Sequence, residues 1–198
     1  MEGAIIVLEG IDGAGKSTLA ASLKIWLEEA GYDVVLTAEP THDRIGAIIR
    51  GGSIEGISQR TEALLFAADR SDHTEAMERW ASEGKIVICD RYFASTVAYQ
   101  SSDLDGTSAD REWLLGISSK FAGVPKATIL LDIDPSAGIS RVESRGEARS
   151  RFERADFLRR VRDEYLRLAE EFNFEVIDAS ASSEDVLRDA KRIIREAI

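Results

Sequence analysis

Positions 10–17 read Gly10-Ile11-Asp12-Gly13-Ala14-Gly15-Lys16-Ser17, a full match to the pattern GxxxxGK[ST], with Thr18 next. The spacing has a physical reason. Glycines let successive backbone N–H groups turn inward into an anion-binding nest, and a helix that follows points its positive end at the same spot. Lys16 is placed to reach β and γ phosphates, and the Ser17 hydroxyl to ligate Mg²⁺. An apolar strand pattern precedes the motif and a helical pattern follows it, the context that a phosphate loop needs. The motif identifies a nucleoside-triphosphate site and leaves open what becomes of the phosphate.

Other chemistry-bearing groups are weaker one by one. Asp90-Arg91-Tyr92 directly follows the apolar run 86–89. Ligands bind at the carboxyl ends of parallel strands, so Asp90 could hold a magnesium-bound water and Arg91 a second phosphate, or the two could be a surface ion pair. Phe66 and Arg70, spaced i, i+4, share one helix face, where a ring and a guanidinium could stack and bond a nucleobase; Phe66 could equally be core. Glu39, in Thr37-Ala38-Glu39-Pro40-Thr41, is either a site carboxylate or a loop acid. Residues 141–151 hold Arg141, Arg145, Arg149 and Arg151 around Gly146 against Glu143 and Glu147, a net of +2 in a chain of net −11. That is either a solvated helix face or a phosphate-gripping segment, since guanidinium forks match phosphate oxygens. His42 and His73 have no partner at metal-ligand spacing, and neither is assigned a role.

The elements that would position these groups alternate. Short β-branched runs at 4–8, 33–37, 85–89, 127–132 and 174–177 read as buried parallel strands. Helical stripes lie between them. Leu19, Leu23, Trp26 and Leu27 mark a helix over 16–30, with Gly31 placed to end it. A long helix is expected over 58–83, ending at Gly84, and another over 153–172 with the stripe Phe157, Leu158, Val161, Tyr165, Leu168 and Ala169. A last helix starts near Ser183, read as its N-cap before Glu184 and Asp185. The expected architecture is α/β: a P-loop NTPase fold with a five-stranded parallel sheet flanked by helices and a mobile arginine-rich lid over 141–152. No repeat or long linker divides residues 1–198, which read as one domain.

Composition narrows the function classes. With 198 residues, 44% hydrophobic and 31% charged, the chain can bury a core and is not disordered, fibrous or coiled-coil. A net charge of −11 argues against nucleic-acid binding and requires local cations for any anionic ligand. The single cysteine, Cys89, lies in an apolar run and reads as a buried strand residue. No apolar run is long enough to span a membrane and the N-terminus lacks a basic leader, so the expected address is the cytoplasm.

In this order and spacing the residues resemble the thymidylate kinase family, which phosphorylates dTMP to dTDP with ATP. The likeness runs along nearly the whole chain. It takes in Glu9-Gly-Ile-Asp12, Glu39-Pro40, Leu65-Phe66-Ala-Ala-Asp-Arg70 and Asp90-Arg91-Tyr92-Phe-Ala-Ser95-Thr96-Val-Ala-Tyr99-Gln100. It continues with the arginine-rich stretch in the lid position and Asp178-Ala179-Ser180 after the last strand. The resemblance implies that Phe66 stacks on thymine, Arg70 bonds its edge, and Thr96 and Gln100 lie near the base, with Glu39 in the same site. Tyr99 would crowd the 2′ position, Asp12 would meet the 3′-hydroxyl, and Arg91 and Arg50 would hold the 5′-phosphate. The 178–180 loop, through Ala179, and Arg145 of the lid would flank adenine. Mg²⁺, held through Ser17 and Asp90, and a homodimer are also implied. Two positions depart from the pattern. Ala38 stands where many bacterial members have arginine, and Gly13 where some carry a catalytic loop arginine, which shifts that role to Arg149 or Arg151.

The acceptor in such a reaction is already an anion, so the task is charge neutralisation and exclusion of water rather than proton abstraction. Lys16, Arg91, Arg149 and Arg151 are the expected catalytic residues, with Gly146 a hinge. Two rivals stand beside this reading: a deoxynucleoside kinase with Glu39 as base, and a nucleotide-dependent switch or assembly ATPase. The sequence leaves dTMP against dUMP, the donor range and the dimer contacts open.

Overall fold

The computed structural model describes residues 2–52, 56–102, 109–118, 120–144 and 155–198. Five strands, β1 (Ala4–Glu9), β2 (Val34–Ala38), β3 (Ile86–Asp90), β4 (Ala127–Asp132) and β5 (Glu175–Asp178), form one sheet in the order β2-β3-β1-β4-β5. Every pairing is parallel. The helices are α1 (Lys16–Glu29), α2 (Arg44–Arg50), α3 (Gln59–Ser82), α4 (Phe93–Gln100), α5 (Arg111–Ser118), α6 (Pro135–Ser144), α7 (Ala155–Phe172) and α8 (Ser183–Ala197).

The central strands are apolar on both faces because both are covered. Ile6, Leu8, Ile86 and Ile88 point into a large core with Leu19 and Leu23 of α1, Phe157 and Val161 of α7 and Ile193 and Ile194 of α8. The alternate residues Ile5, Val7, Val87 and Cys89 face a second layer with Met77 and Trp80 of α3 and Tyr92. Cys89 is therefore a buried strand residue, and burial pushes its thiol well above the ordinary range. No described helix is long and apolar enough to cross a membrane.

The strands and the long helices fall within one or two residues of their expected bounds, with Asp90 ending β3 rather than following it. Helices α2, α4, α5 and α6 were not expected individually. They are short, and α4 is buried along most of its length, so no amphipathic stripe marks it. Ser182, not Ser183, caps α8: its side chain accepts the Asp185 N–H three residues on. Arg141 sits in the last turn of α6, so the arginine-rich stretch begins as helix.

Candidate active site

Two clefts open at the carboxyl edge of the sheet, and consecutive residues of the loop after β1 line different ones. Gly13 lines the first, Asp12 the second.

The first cleft, about 340 Å³, is bounded by Gly13, Ala14, Gly15, Thr18, Arg141, Ala179 and residues of α8 such as Val186 and Leu187. Helix α1 opens on Gly15 in the left-handed region, with no side chain capping its first turn. By contrast α3 and α8 are capped by Ser58 and Ser182. The uncapped end and its dipole favour an anion. Gly13 has φ +83°, and a Cβ there would lie 2.2 Å from the Gly138 carbonyl oxygen of α6. A Cβ on Gly138 would in turn meet the Asp12 carbonyl oxygen at 2.7 Å. The loop is thus pressed against the helix that leads towards residues 145–154, and the glycine that departs from some family members is required by close backbone approach.

Lys16 is buried and donates from Nζ to the carbonyls of Gly10 and Ile11 at 2.9 and 3.0 Å. Burial, with Arg91 nearby, brings its pKa down to about 8. Ser17 Oγ donates to Asp90 Oδ2 at 2.6 Å, while Asp90 Oδ1 is buried without a hydrogen-bond partner. A hydroxyl beside a carboxylate with an unused oxygen is the hard-oxygen donor set that suits Mg²⁺. Arg141 Nη1 lies 3.5 Å from the Gly13 carbonyl. Arg145, Gly146, Arg149 and Arg151 lie outside the described residues.

The second cleft, about 180 Å³, gathers side chains from β3, α3, α4 and three loops: Asp12, Glu39, Phe66, Arg70, Arg91, Thr96, Tyr99 and Gln100 among them. Arg91 ion-pairs with Asp12 and lies over the Tyr99 ring at 5.2 Å, and Tyr99 Oη donates to Asp12 Oδ2 at 3.3 Å. Burial works against the Asp12 carboxylate, but Arg91 and Lys16 more than offset it and hold its pKa below the ordinary value. Arg70 is almost wholly buried. Its Nε and Nη2 donate to Glu39 Oε2 and Nη2 also to Thr96 Oγ1 at 2.8 Å, leaving Nη1 without a partner. Gln100 Nε2 faces Glu62 Oε2 at 3.4 Å, which turns its Oε1, also unpartnered, the other way. Arg50 does not line this cleft. It is exposed, and its Nε donates to the carbonyls of Pro40 and Thr41 at 2.8 and 3.1 Å.

Three site residues were not assigned from sequence. Glu9, fully buried, accepts from the backbone N–H of Tyr92 and Ser95 and from the Ser95 hydroxyl, and burial raises its pKa. Tyr165 of α7 bonds Ser95 Oγ at 2.7 Å and Glu9 Oε2 at 3.2 Å, and Arg91 Nη1 lies 3.5 Å away. Together they brace the turn in which Arg91 adopts φ +75°. Tyr165 had shown only as one member of a core stripe. His73 is the third, buried against Glu39.

The model of the family described as thymidylate kinase matches residues 8–190. A protein of Pyrococcus horikoshii named probable thymidylate kinase is 42% identical over 207 residues, covering 100% of this chain and 98% of the relative. One of Thermococcus kodakarensis with the same name is 44% identical over 194 residues, 91% of this chain and 92% of the relative. The thymidylate kinase of Xanthomonas campestris is 42% identical over 198 residues, 99% of this chain and 85% of the relative. With a family model and relatives matching nearly end to end, the chain belongs to the thymidylate kinase family.

Proposed function

We infer that the chain is a kinase of nucleotide biosynthesis that transfers the γ-phosphoryl group of ATP to dTMP, with the first cleft taking the donor and the second the acceptor. The observation that carries the acceptor assignment is the pair of unsatisfied groups in the second cleft. Arg70 Nη1 is a free donor and Gln100 Oε1 a free acceptor, both buried. Buried polar groups seek partners. A 2,4-dioxopyrimidine offers an acceptor at O4 and a donor at N3, whereas cytosine presents the opposite pattern. Phe66 supplies a ring for stacking, Tyr99 sits where a 2′-hydroxyl would crowd it, and Asp12 is at hand for the 3′-hydroxyl.

The attacking group is a phosphate oxygen, so no base is needed. Glu39 is bonded on both carboxylate oxygens, which disfavours the rival in which it deprotonates a nucleoside hydroxyl. Lys16 swings from the Gly10 and Ile11 carbonyls to the donor phosphates, and the open amides of the loop take the remaining charge. Arg91 holds the acceptor phosphate beside them. Ser17 and Asp90 would hold Mg²⁺, whose positive charge would help neutralise the donor phosphates. Arg149 and Arg151 are assigned the closing role: alanine at either lowers turnover much more than dTMP binding, and near-normal turnover in both singles and the double variant would remove the assignment. Arg145 and Ala179 flank the donor base.

A cytoplasmic homodimer belongs to the same reading. Exposed Ile48 on α2 and Leu64 on α3 support an apolar contact between copies. The test of function is a panel of nucleoside monophosphates with ATP, following ADP release. dTMP is expected to dominate, dUMP to trail by about 10- to 100-fold for its missing methyl, and dCMP and thymidine to be poor. Phosphorylation of thymidine alone, or full ADP release without an acceptor, would overturn the reading.

A further inference from the structure

His73 is buried, and each ring nitrogen has a partner on a different element. Nδ1 lies 2.9 Å from Glu39 Oε1 and Nε2 lies 2.6 Å from Thr37 Oγ1. The side chains of His73 and Glu39 are each 3% exposed. The partners set the ring's tautomer. A carboxylate only accepts, so Nδ1 carries a proton and donates to Glu39; Thr37 at the end of β2 can then donate its hydroxyl proton to Nε2. The Nδ1–H bond satisfies Oε1, and Oε2 is left to Arg70, which binds it through Nε and Nη2.

A chain of contacts follows: Thr37, His73, Glu39, Arg70. It ends at Arg70 Nη1, the unpartnered donor in the acceptor cleft. Thr96 fixes Nη2 from the other side at 2.8 Å. A guanidinium is planar, so once Nε and Nη2 are pinned the direction of Nη1 is set as well. Without a donor on Oε1, the Glu39 carboxylate is free to rotate and Arg70 to turn with it.

We infer that His73 is a positioning residue for base recognition: by donating to Glu39 it fixes the plane of Arg70 and so aims Nη1 at the base. The inference rests on the second cleft being the acceptor site.

Steady-state kinetics of the full chain test it, with KM for dTMP, KM for ATP and kcat measured for His73→Leu, His73→Asn, His73→Gln and a benchmark, Gln100→Leu. Leucine fills the space without a donor, and asparagine puts an amide N–H near the place of Nδ1–H. His73→Leu is expected to raise KM for dTMP about tenfold, the scale of one hydrogen bond to a charged group, with kcat and KM for ATP within about twofold. His73→Asn is expected to bring KM for dTMP back to within about threefold of the parent. Should the leucine variant fail to fold, asparagine against glutamine carries the comparison, since glutamine reaches past the Nδ1 position and is expected to behave like leucine.

An unchanged KM for dTMP in His73→Leu, equal rises in both KM values, or an asparagine variant no better than leucine or glutamine would overturn the inference. If Gln100→Leu also leaves KM for dTMP unchanged, the cleft assignment fails with it. If Gln100→Leu raises it, only the role of His73 falls.

Discussion

In the function proposed above, the two clefts solve the binding of phosphorylated ligands in different ways. The donor side centres on one run of residues, 10–18, turned by glycines onto an uncapped helix end, with α6, the loop after β5 and α8 closing the cleft around it. The acceptor side is built from side chains of several elements joined in a buried network, in which Arg70, Glu39, His73, Thr37 and Thr96 each depend on the next. Backbone amides need only the right turn, whereas buried charges need every partner in place. The donor side should therefore fail in catalysis when one group is removed, and the acceptor side in stability and selectivity.

The largest effect should come from the donor side. Lys16→Ala is expected to reduce kcat roughly 10³-fold by removing a preorganised charge from the transferring group, with KM for dTMP little changed. A comparable loss of dTMP affinity in the same kinetic runs would show that the two clefts are not separable.

On the acceptor side the sharpest test is stability. Arg70→Leu strips the partner from a carboxylate that is 3% exposed, and a broken buried pair costs about 3–5 kcal/mol. Denaturant unfolding should show that loss, and Arg70→Leu with Glu39→Leu should regain much of it, because the stranded charge is gone. If the double variant is no more stable than the single, the network is not what holds Glu39 inside.

How much of this was legible in the sequence follows the same division. Strand and helix periods reported the sheet and the long helices because both faces of the central strands are covered and α7 has a clean stripe. Gly10 to Thr18 could be read as a site because its chemistry is local. Phe66, Arg70 and Gln100 could be placed only through resemblance to a family, since nothing in their spacing says that α3 and α4 face one cleft. His73 was unreadable: its partners lie 34 and 36 positions away. Glu9 and Tyr165, 156 positions apart, were hidden for the same reason. Short helices such as α4 escaped because burial on most sides erases the period.

The pH dependence of donor binding sharpens the contrast further. Burial lowers Lys16 to about 8 in the free protein, from an ordinary 10.5. Between those values the unfolded chain keeps a proton that the folded free protein has released, so the free protein gains stability as pH rises through that window. Donor phosphates supply the missing counter-charge and restore the proton. ATP binding above about pH 8 should therefore take up a proton and weaken by as much as tenfold per pH unit. Calorimetry in buffers of different ionisation enthalpy measures the uptake directly, and dTMP affinity, which does not use Lys16, should vary less over the same range.

The smallest expected effect separates helix ends capped by side chains from the α1 end proposed to meet the donor. Ser58 and Ser182 each accept a backbone N–H in the first turn of α3 and α8. Alanine at either should cost about 1 kcal/mol of folding stability and leave kcat and both KM values unchanged. Helix α1 has no such cap to lose, and Gly15 at its start lines the donor cleft. ATP should thus stand in for a cap: it should raise the melting temperature of the parent and of both serine variants by equal amounts. A smaller shift in Ser182→Ala alone would instead make the start of α8, which borders the donor cleft through Ser183, part of the binding site.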